Sequence, residues 1–402
     1  MKYKTLDDFD TENSDSLSRK LYGKKKVSGF AGKRVLLRSD LNSEVDNGKV
    51  IEGERIKESA KTIKELRDKK AKVVVMAHQG RKGDKDFTDL KQHARLLNKY
   101  VKIKYVPDVI GDLALEAIGK LKYGEALLLE NIRGLDEEMK PSDDNVIVAR
   151  LKGMFDIYIN DAFSVSHRAQ TSIVSFPKFL DSGVGRVMQR ELESLEKIKI
   201  NDCLFLLGGN KVEDEMKILR KRDNILTAGV LAHVCLWAKG YKAGKENGAF
   251  EDILKYLPEV TELSKRKKIY LPLDLALRVN GKRKEVSVEN FPSGEKSYDI
   301  GKRTVAYYAE KIKKAKAIFI KGTVGVCEEK EFCYGTRELL NAVVKSDAFS
   351  VVGGGHITTA MKKLKVDKKK FDYISLSGGA LIAYICGEKL PGLEALERRG
   401  VK

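Results

Sequence analysis

The sequence predicts an α/β protein built as two halves, each a parallel sheet with helices on both faces. Short Val/Ile/Leu runs alternate with segments of helical periodicity, the pattern of buried parallel strands joined by helical crossovers. The 402 residues exceed what one hydrophobic core usually serves, so two domains are expected. The apolar runs also end differently in the two halves. VLLRSDLN (35–42), VVVMAHQGR (73–81), ALLLENIR (126–133) and DIYINDAFSVSHR (156–168) end on charged or polar residues. CLFLLGGNK (203–211), AIFIKGTVG (317–325), AFSVVGGGH (348–356) and YISLSGGA (373–380) end on glycine.

The elements follow in order. The polar stretch 11–28 lacks apolar periodicity and reads as an exposed, disordered insertion. Strands are expected at 35–38, 72–77, 103–106, 126–130 and 156–160, with helices at 55–70, 88–99, 112–121 and 143–153 between them. RVMQRELESLEKIKI (185–199) is helical in period and has no Gly or Pro after Gly185, which fits a helix joining two domains. The second half then gives strands at 203–207, 224–228, 268–271, 316–320, 348–352 and 372–375. Its helices fall at 212–222, 230–239, 301–313, 335–345 and 357–364. Segment 276–300 reads as irregular or as short antiparallel strands. The expected division is 1–184, a joining helix 185–200, 201–384, and a tail 385–402.

Composition narrows the class. No run of eighteen apolar residues occurs, so no transmembrane helix is expected, and MKYKTLDDFD is too acidic for a secretory signal. The five cysteines (203, 235, 327, 333, 386) form no CxxC, and reduced thiols in a cytoplasmic protein are expected. The net charge of +19 comes from lysines spread over helix-like segments without an aromatic-rich basic module. A solvated lysine-rich surface is expected rather than a nucleic-acid site.

The run ends carry the chemistry. Asp40, Asn42, His78, Arg81, Arg133, Asp161, His167 and Arg168 sit at or just past strand ends of the first half, and Arg55 opens the following helix. A parallel sheet sets its strand ends along one edge, so these groups can converge on a multiply charged small anion, with Arg as a bidentate fork. In the second half, LGGNK (207–211), GGGH (353–356) and SGGA (377–380) follow strands and open helices. Glycines there let backbone amides approach a phosphate at a helix N-terminus, and Lys211 reaches the same anion. Neither GxxxxGK[ST] nor the protein-kinase motif set is present. A basic anion pocket opposite glycine loops is a kinase arrangement.

At these residues the chain resembles the phosphoglycerate kinase family, in motif order from about Gly32 to Leu396. The matching segments are KRVLLRSDLN, ERI, HQGR, LLLENIR, YINDAFSVSHRA, GGNKV, KGTVGVCEEKEF, AFSVVGGGH and SLSGGA. TLDDFD, TAGVLAHVCLWAKGY, HQGR and GGGH resemble its archaeal branch. The resemblance implies two Rossmann-like three-layer domains closing about a hinge helix. It implies phosphoryl transfer between ATP and the carboxylate of 3-phosphoglycerate with Mg²⁺, giving ADP and 1,3-bisphosphoglycerate in glycolysis and gluconeogenesis. By motif, the acceptor site is Asp40, Asn42, Arg55, His78, Arg81, Arg133 and Arg168. The nucleotide site is Gly208, Gly209, Lys211, Lys321, Gly322, Glu328, Gly353, Gly354, Gly355 and His356. Arg55, Lys211, Gly354 and Gly378 are expected to act on the transferring group, and Glu328 on the ribose. The tail LPGLEALERRG resembles the segment that returns to the N-terminal domain. A cytoplasmic monomer with no nucleic-acid or membrane partner is expected.

The chain departs from the family pattern at several positions. Glu215 stands where many relatives have a second lysine, and Lys217 is about 200° away around a helix. Lys321 and Thr323 replace the Asn and Pro of an NGP segment, and Lys321 can restore the missing charge. His356 replaces a metal-associated Asp, as archaeal-type members tend to do, which leaves the protein's metal ligands undefined. Those departures are the whole support for a catalytically inactive binding paralogue, and net charge alone supports a nucleic-acid binder.

Overall fold

The computed structural model describes residues 2–12, 26–27, 29–246 and 248–397. Its chain divides into two compact units, Met1–Glu193 with Lys389–Lys402, and Ser194–Glu388.

In the first unit, strands β1 (Arg34–Ser39), β2 (Lys72–Met76), β3 (Lys104–Tyr105), β4 (Ala126–Leu128), β5 (Ile157–Asp161) and β6 (Asp181–Val184) form one sheet. Its order is β6-β5-β1-β2-β4-β3, and every neighbouring pair is parallel. Helices α1 (Glu54–Asp68), α2 (Lys91–Leu97), α3 (Asp112–Gly119) and α4 (Val146–Leu151) are among the crossovers. Both faces are covered: Val35, Leu36 and Leu37, which alternate in direction along β1, are each 0% exposed. Ile56, Ala60 and Ile63 pack from α1 against one face.

The sequence offers no strand signal at β6, because DSGV has no β-branched run. Pairing with β5 and the bond from Val184 N to Lys4 O (2.8 Å) hold it extended. The expected insertion is bounded by regular structure. Thr11–Glu12 and Lys26–Val27 pair as an antiparallel ribbon, while 13–25 and 28 lie outside the described residues.

Helix α5 (Arg186–Lys197) contains the division between the units. Asp161, grouped by sequence with the ligand residues, instead caps this helix. It is 1% exposed, and its Oδ1 accepts from Val187 N (2.8 Å) and Met188 N (3.0 Å).

In the second unit, β7 (Leu204–Leu207), β8 (Ile225–Thr227), β9 (Ile269–Tyr270), β13 (Ala317–Lys321), β14 (Phe349–Gly353) and β15 (Tyr373–Ser375) form the second parallel sheet. Its order is β9-β8-β7-β13-β14-β15. Between β9 and β13, segment 276–300 is more regular than expected. β10 (Asp274–Val279), β11 (Lys282–Ser287) and β12 (Ser297–Ile300) make an antiparallel sheet, ordered β11-β10-β12. The helices are α6 (Val212–Lys221), α7 (Gly229–Ala238), α8 (Leu257–Arg266), α9 (Lys302–Lys313), α10 (Tyr334–Val344), α11 (Gly355–Lys363) and α12 (Gly379–Ile385). The sequence reading missed α8, where Pro258 falls in the first turn and is tolerated. Leu275, Leu277 and Ile300 share one core with Leu204, Leu206, Ile318 and Ile320.

The cysteine expectation is corrected. Cys327 and Cys333 form a disulfide, whereas Cys203, Cys235 and Cys386 are free and buried. The 3-10 turn Lys330–Cys333 folds the chain back and brings the two Cα atoms to 4.3 Å.

The Asp161 cap gives a first prediction. Asp161→Ala leaves two amide donors at the start of α5 without their acceptor. Stability should fall by about 1–3 kcal/mol. Urea unfolding followed by circular dichroism measures this, and an unchanged midpoint would remove Asp161 from the capping role.

Candidate active site

Both sheets place a crevice at the carboxyl end of their central strand, where the chain leaves in opposite directions. In the first unit that strand is β1, with β5 and β2 on its two sides.

Asp40 and Asn42 follow β1 and fix the loop. Asp40 Oδ1 accepts from Asn42 N (3.0 Å), and Asn42 Oδ1 accepts from Gly80 N (2.8 Å). Asp40 Oδ2 accepts from Ser164 Oγ (2.5 Å) and pairs with Arg55 Nε (2.9 Å). Arg55, in the first turn of α1, also donates from Nη1 to the Asn42 carbonyl (2.7 Å). Two independent anchors therefore aim its guanidinium. Arg133 donates to the Gly80 carbonyl (2.6 Å), and Arg168 Nε lies 3.3 Å from His167 Nε2. Arg81 is exposed.

The electrostatics show that these residues converge. Burial, followed by Arg38, Arg133, Arg55 and Arg168, holds the His78 imidazole well below its ordinary pKa. Burial, followed by Arg38 and Arg168, brings Arg133 down to about 10. Burial, followed by Arg81, lowers Arg168. Half-buried guanidiniums gathered in this way suit a multiply charged anion.

A layer beneath the cluster was not identified from sequence. Arg38 and Glu138 are both 0% exposed and 3.9 Å apart. Arg38 donates to Ser172 Oγ (2.7 Å) and to the Ser39 carbonyl (2.7 Å), and its Nη2 lies 3.2 Å from His78 Nδ1. Glu138 accepts from Ser172 N (2.9 Å) and Oγ (2.7 Å), while burial still raises its pKa. A guanidinium only donates, so His78 Nδ1 accepts and Nε2 carries the proton. The available signal was one arginine inside an otherwise apolar strand, VLLRS.

The second crevice lies beside β7, between it and β13. Gly208 N donates to Lys321 O (2.8 Å), and a Cβ on Gly322 (φ 75°) would fall 1.9 Å from Gly208 O. The loops after the two strands therefore touch through backbone. A cavity of about 760 Å³ opens there. Gly208, Gly209, Lys211, Lys321, Gly322, Glu328, Gly353, Gly354, Gly355, His356 and Gly378 all line it. Gly354 takes a φ of 108° and is the N-cap of α11, with open space where a Cβ would stand. Leu275, Phe319, Val324 and Leu381 give the cavity an apolar wall. Missed from sequence were Asp214 and His233, which also line it.

No group of three or more His, Cys, Asp or Glu side chains that could hold a metal ion occurs among the described residues. No described helix is long and apolar enough to cross a membrane.

Residues 25–388 match the family described as Phosphoglycerate kinase. The chain is 39% identical to the phosphoglycerate kinase of Methanothermus fervidus, over 98% of this chain and 97% of that one. It is 42% identical to that of Saccharolobus solfataricus, over 90% and 94%. The crystal structure of phosphoglycerate kinase from Pyrococcus horikoshii superposes with a TM-score of 0.83 at 36% identity, covering 91% of this chain and 96% of that one. The Coxiella burnetii enzyme gives 0.75 at 29%, with the same coverage. With these matches spanning both crevices, the chain belongs to the phosphoglycerate kinase family.

Proposed function

We propose that the chain transfers a phosphoryl group between ATP and the carboxylate of 3-phosphoglycerate, as an Mg²⁺-dependent cytoplasmic enzyme acting as a monomer. The observation that carries this reading is the gathering of Arg55, Arg133 and Arg168 beside Asp40 and His78, which suits an acceptor bearing both a phosphate and a carboxylate.

On this reading the first unit holds the acceptor. Arg133, Arg168, Arg81 and neutral His78, which donates from Nε2, bind its anionic and hydroxyl groups beside Asp40 and Asn42. The second unit holds the nucleotide. Its phosphates meet the glycine loops and Lys211, its base lies on the apolar wall, and its ribose is held by Glu328. The attacking carboxylate, with an ordinary pKa of roughly 4 or below, is ionised at neutral pH and needs no general base. Positioning and charge neutralisation then do the catalysis, with Arg55 steadying the transferring group. Mg²⁺ would be held chiefly by the nucleotide phosphates and would supply charge neutralisation beside Lys211. Because acceptor and donor are assigned to different units, transfer requires closure about α5, which also keeps water from the acyl phosphate.

A coupled assay with ATP, Mg²⁺ and 3-phosphoglycerate tests the reading. Turnover should require all three; a folded protein without turnover returns the inactive-paralogue reading. Arg55→Ala should lower kcat by about 10²–10³-fold while ADP affinity changes little. Preserved turnover would show that Arg55 does not touch the transferring group. Arg133→Ala or Arg168→Ala should mainly raise KM for 3-phosphoglycerate. Equal loss of kcat with unaltered KM would place these arginines elsewhere.

A further inference from the structure

Glu215 lies in the first turn of α6 and lines the cavity assigned to the nucleotide. It is 0% exposed, and neither carboxyl oxygen has a hydrogen-bond partner. Lys321 Nζ, at the end of β13, is 4.0 Å from its Oε1, beyond hydrogen-bond range. That ammonium is 3.7 Å from Asp214 Oδ2 and is divided between two carboxyl groups. Cys235 of α7 also faces this place, its thiol raised by burial and then by Glu215, and it supplies no positive charge. Lys211, the N-cap of α6, lines the same cavity and is not paired with the Glu215 carboxyl.

An ionised carboxylate buried without donors costs several kcal/mol, and one shared cation at 4.0 Å does not offset that cost. A neutral carboxyl avoids the cost. Negative phosphate arriving beside it favours the neutral form further. We propose that Glu215, buried behind Gly209 and beside Lys321, takes up a proton when nucleotide phosphates bring negative charge into the cavity. This rests on the nucleotide reading of the cavity. Burial is the leading cause; Lys321 opposes it, Asp214 adds a smaller push upward, and Glu215 is raised to about 8, in the range where the uptake is measurable.

The linkage has a definite sign. A carboxyl group raised in the folded state contributes stability that is fully present below the unfolded pKa of about 4.5 and lost as pH rises through about 8. The carboxamide of Glu215→Gln matches the neutral acid in size and charge and does not titrate. Its stability should therefore gain on that of the unaltered protein between those two values.

Calorimetric titration of the full-length protein with ADP, in HEPES and in Tris from pH 7 to 9, tests the proposal. The unaltered protein should take up a proton fraction that Glu215→Gln does not. At pH 7 the two should bind ADP within about threefold. At pH 9 Glu215→Gln should bind about tenfold more tightly, because only about a tenth of the unaltered sites are then protonated. Equal proton counts in the two proteins, or loss of ADP binding in folded Glu215→Gln at pH 7, would overturn this inference alone. Absence of ADP binding to the unaltered protein would overturn the nucleotide reading as well.

Discussion

Parallel strands bring all their carboxyl ends to one edge, and the structure depends on that constraint twice. In each unit the central strand, β1 or β7, has its neighbours reached by chain running in opposite directions. A crevice must open where those paths part, and the side chains and loops that follow the strands must line it. The residues there differ in kind, as the proposed acceptor and nucleotide would require. The first crevice supplies guanidiniums from three separate strand ends and one helix start. The second supplies backbone amides, which requires glycine where two loops meet.

Charge is handled in opposite ways in the two crevices. Below the guanidiniums, Arg38 and Glu138 form a buried pair whose remaining polar atoms are largely met by Ser39, Ser172 and His78. That layer sets the imidazole's orientation and its tautomer. In the second crevice, Glu215 has no such satisfaction, and Lys321 is shared. A satisfied network fixes geometry; an unsatisfied group responds to whatever ligand arrives.

Much of this was legible in the chain. The alternating pattern gave both sheets, because buried parallel strands are continuous apolar runs, and the residues ending those runs sit at the crevices. Less visible were elements held by partners distant in sequence. Strand β6 depends on β5 and on the Lys4 carbonyl, and DSGV alone shows none of that. Asp161 looked like its neighbours at strand ends, yet the start of α5 lies over it and takes its carboxylate as a cap. Arg38 lies within β1 and is buried beneath the crevice, whereas Arg133 stands in a 3-10 turn past β4, and side-chain period alone does not reveal that burial. The Cys327–Cys333 pair has no motif spacing; a 3-10 turn creates it.

That disulfide closes a short covalent ring around Glu328, the residue proposed to hold the ribose. A segment tied at both ends visits fewer arrangements than an open loop of the same length. The entropy of arranging the Glu328 segment is therefore lost mostly when the protein folds, and little remains to be lost when a ligand arrives. Opening the ring would return part of that ordering cost to each association event.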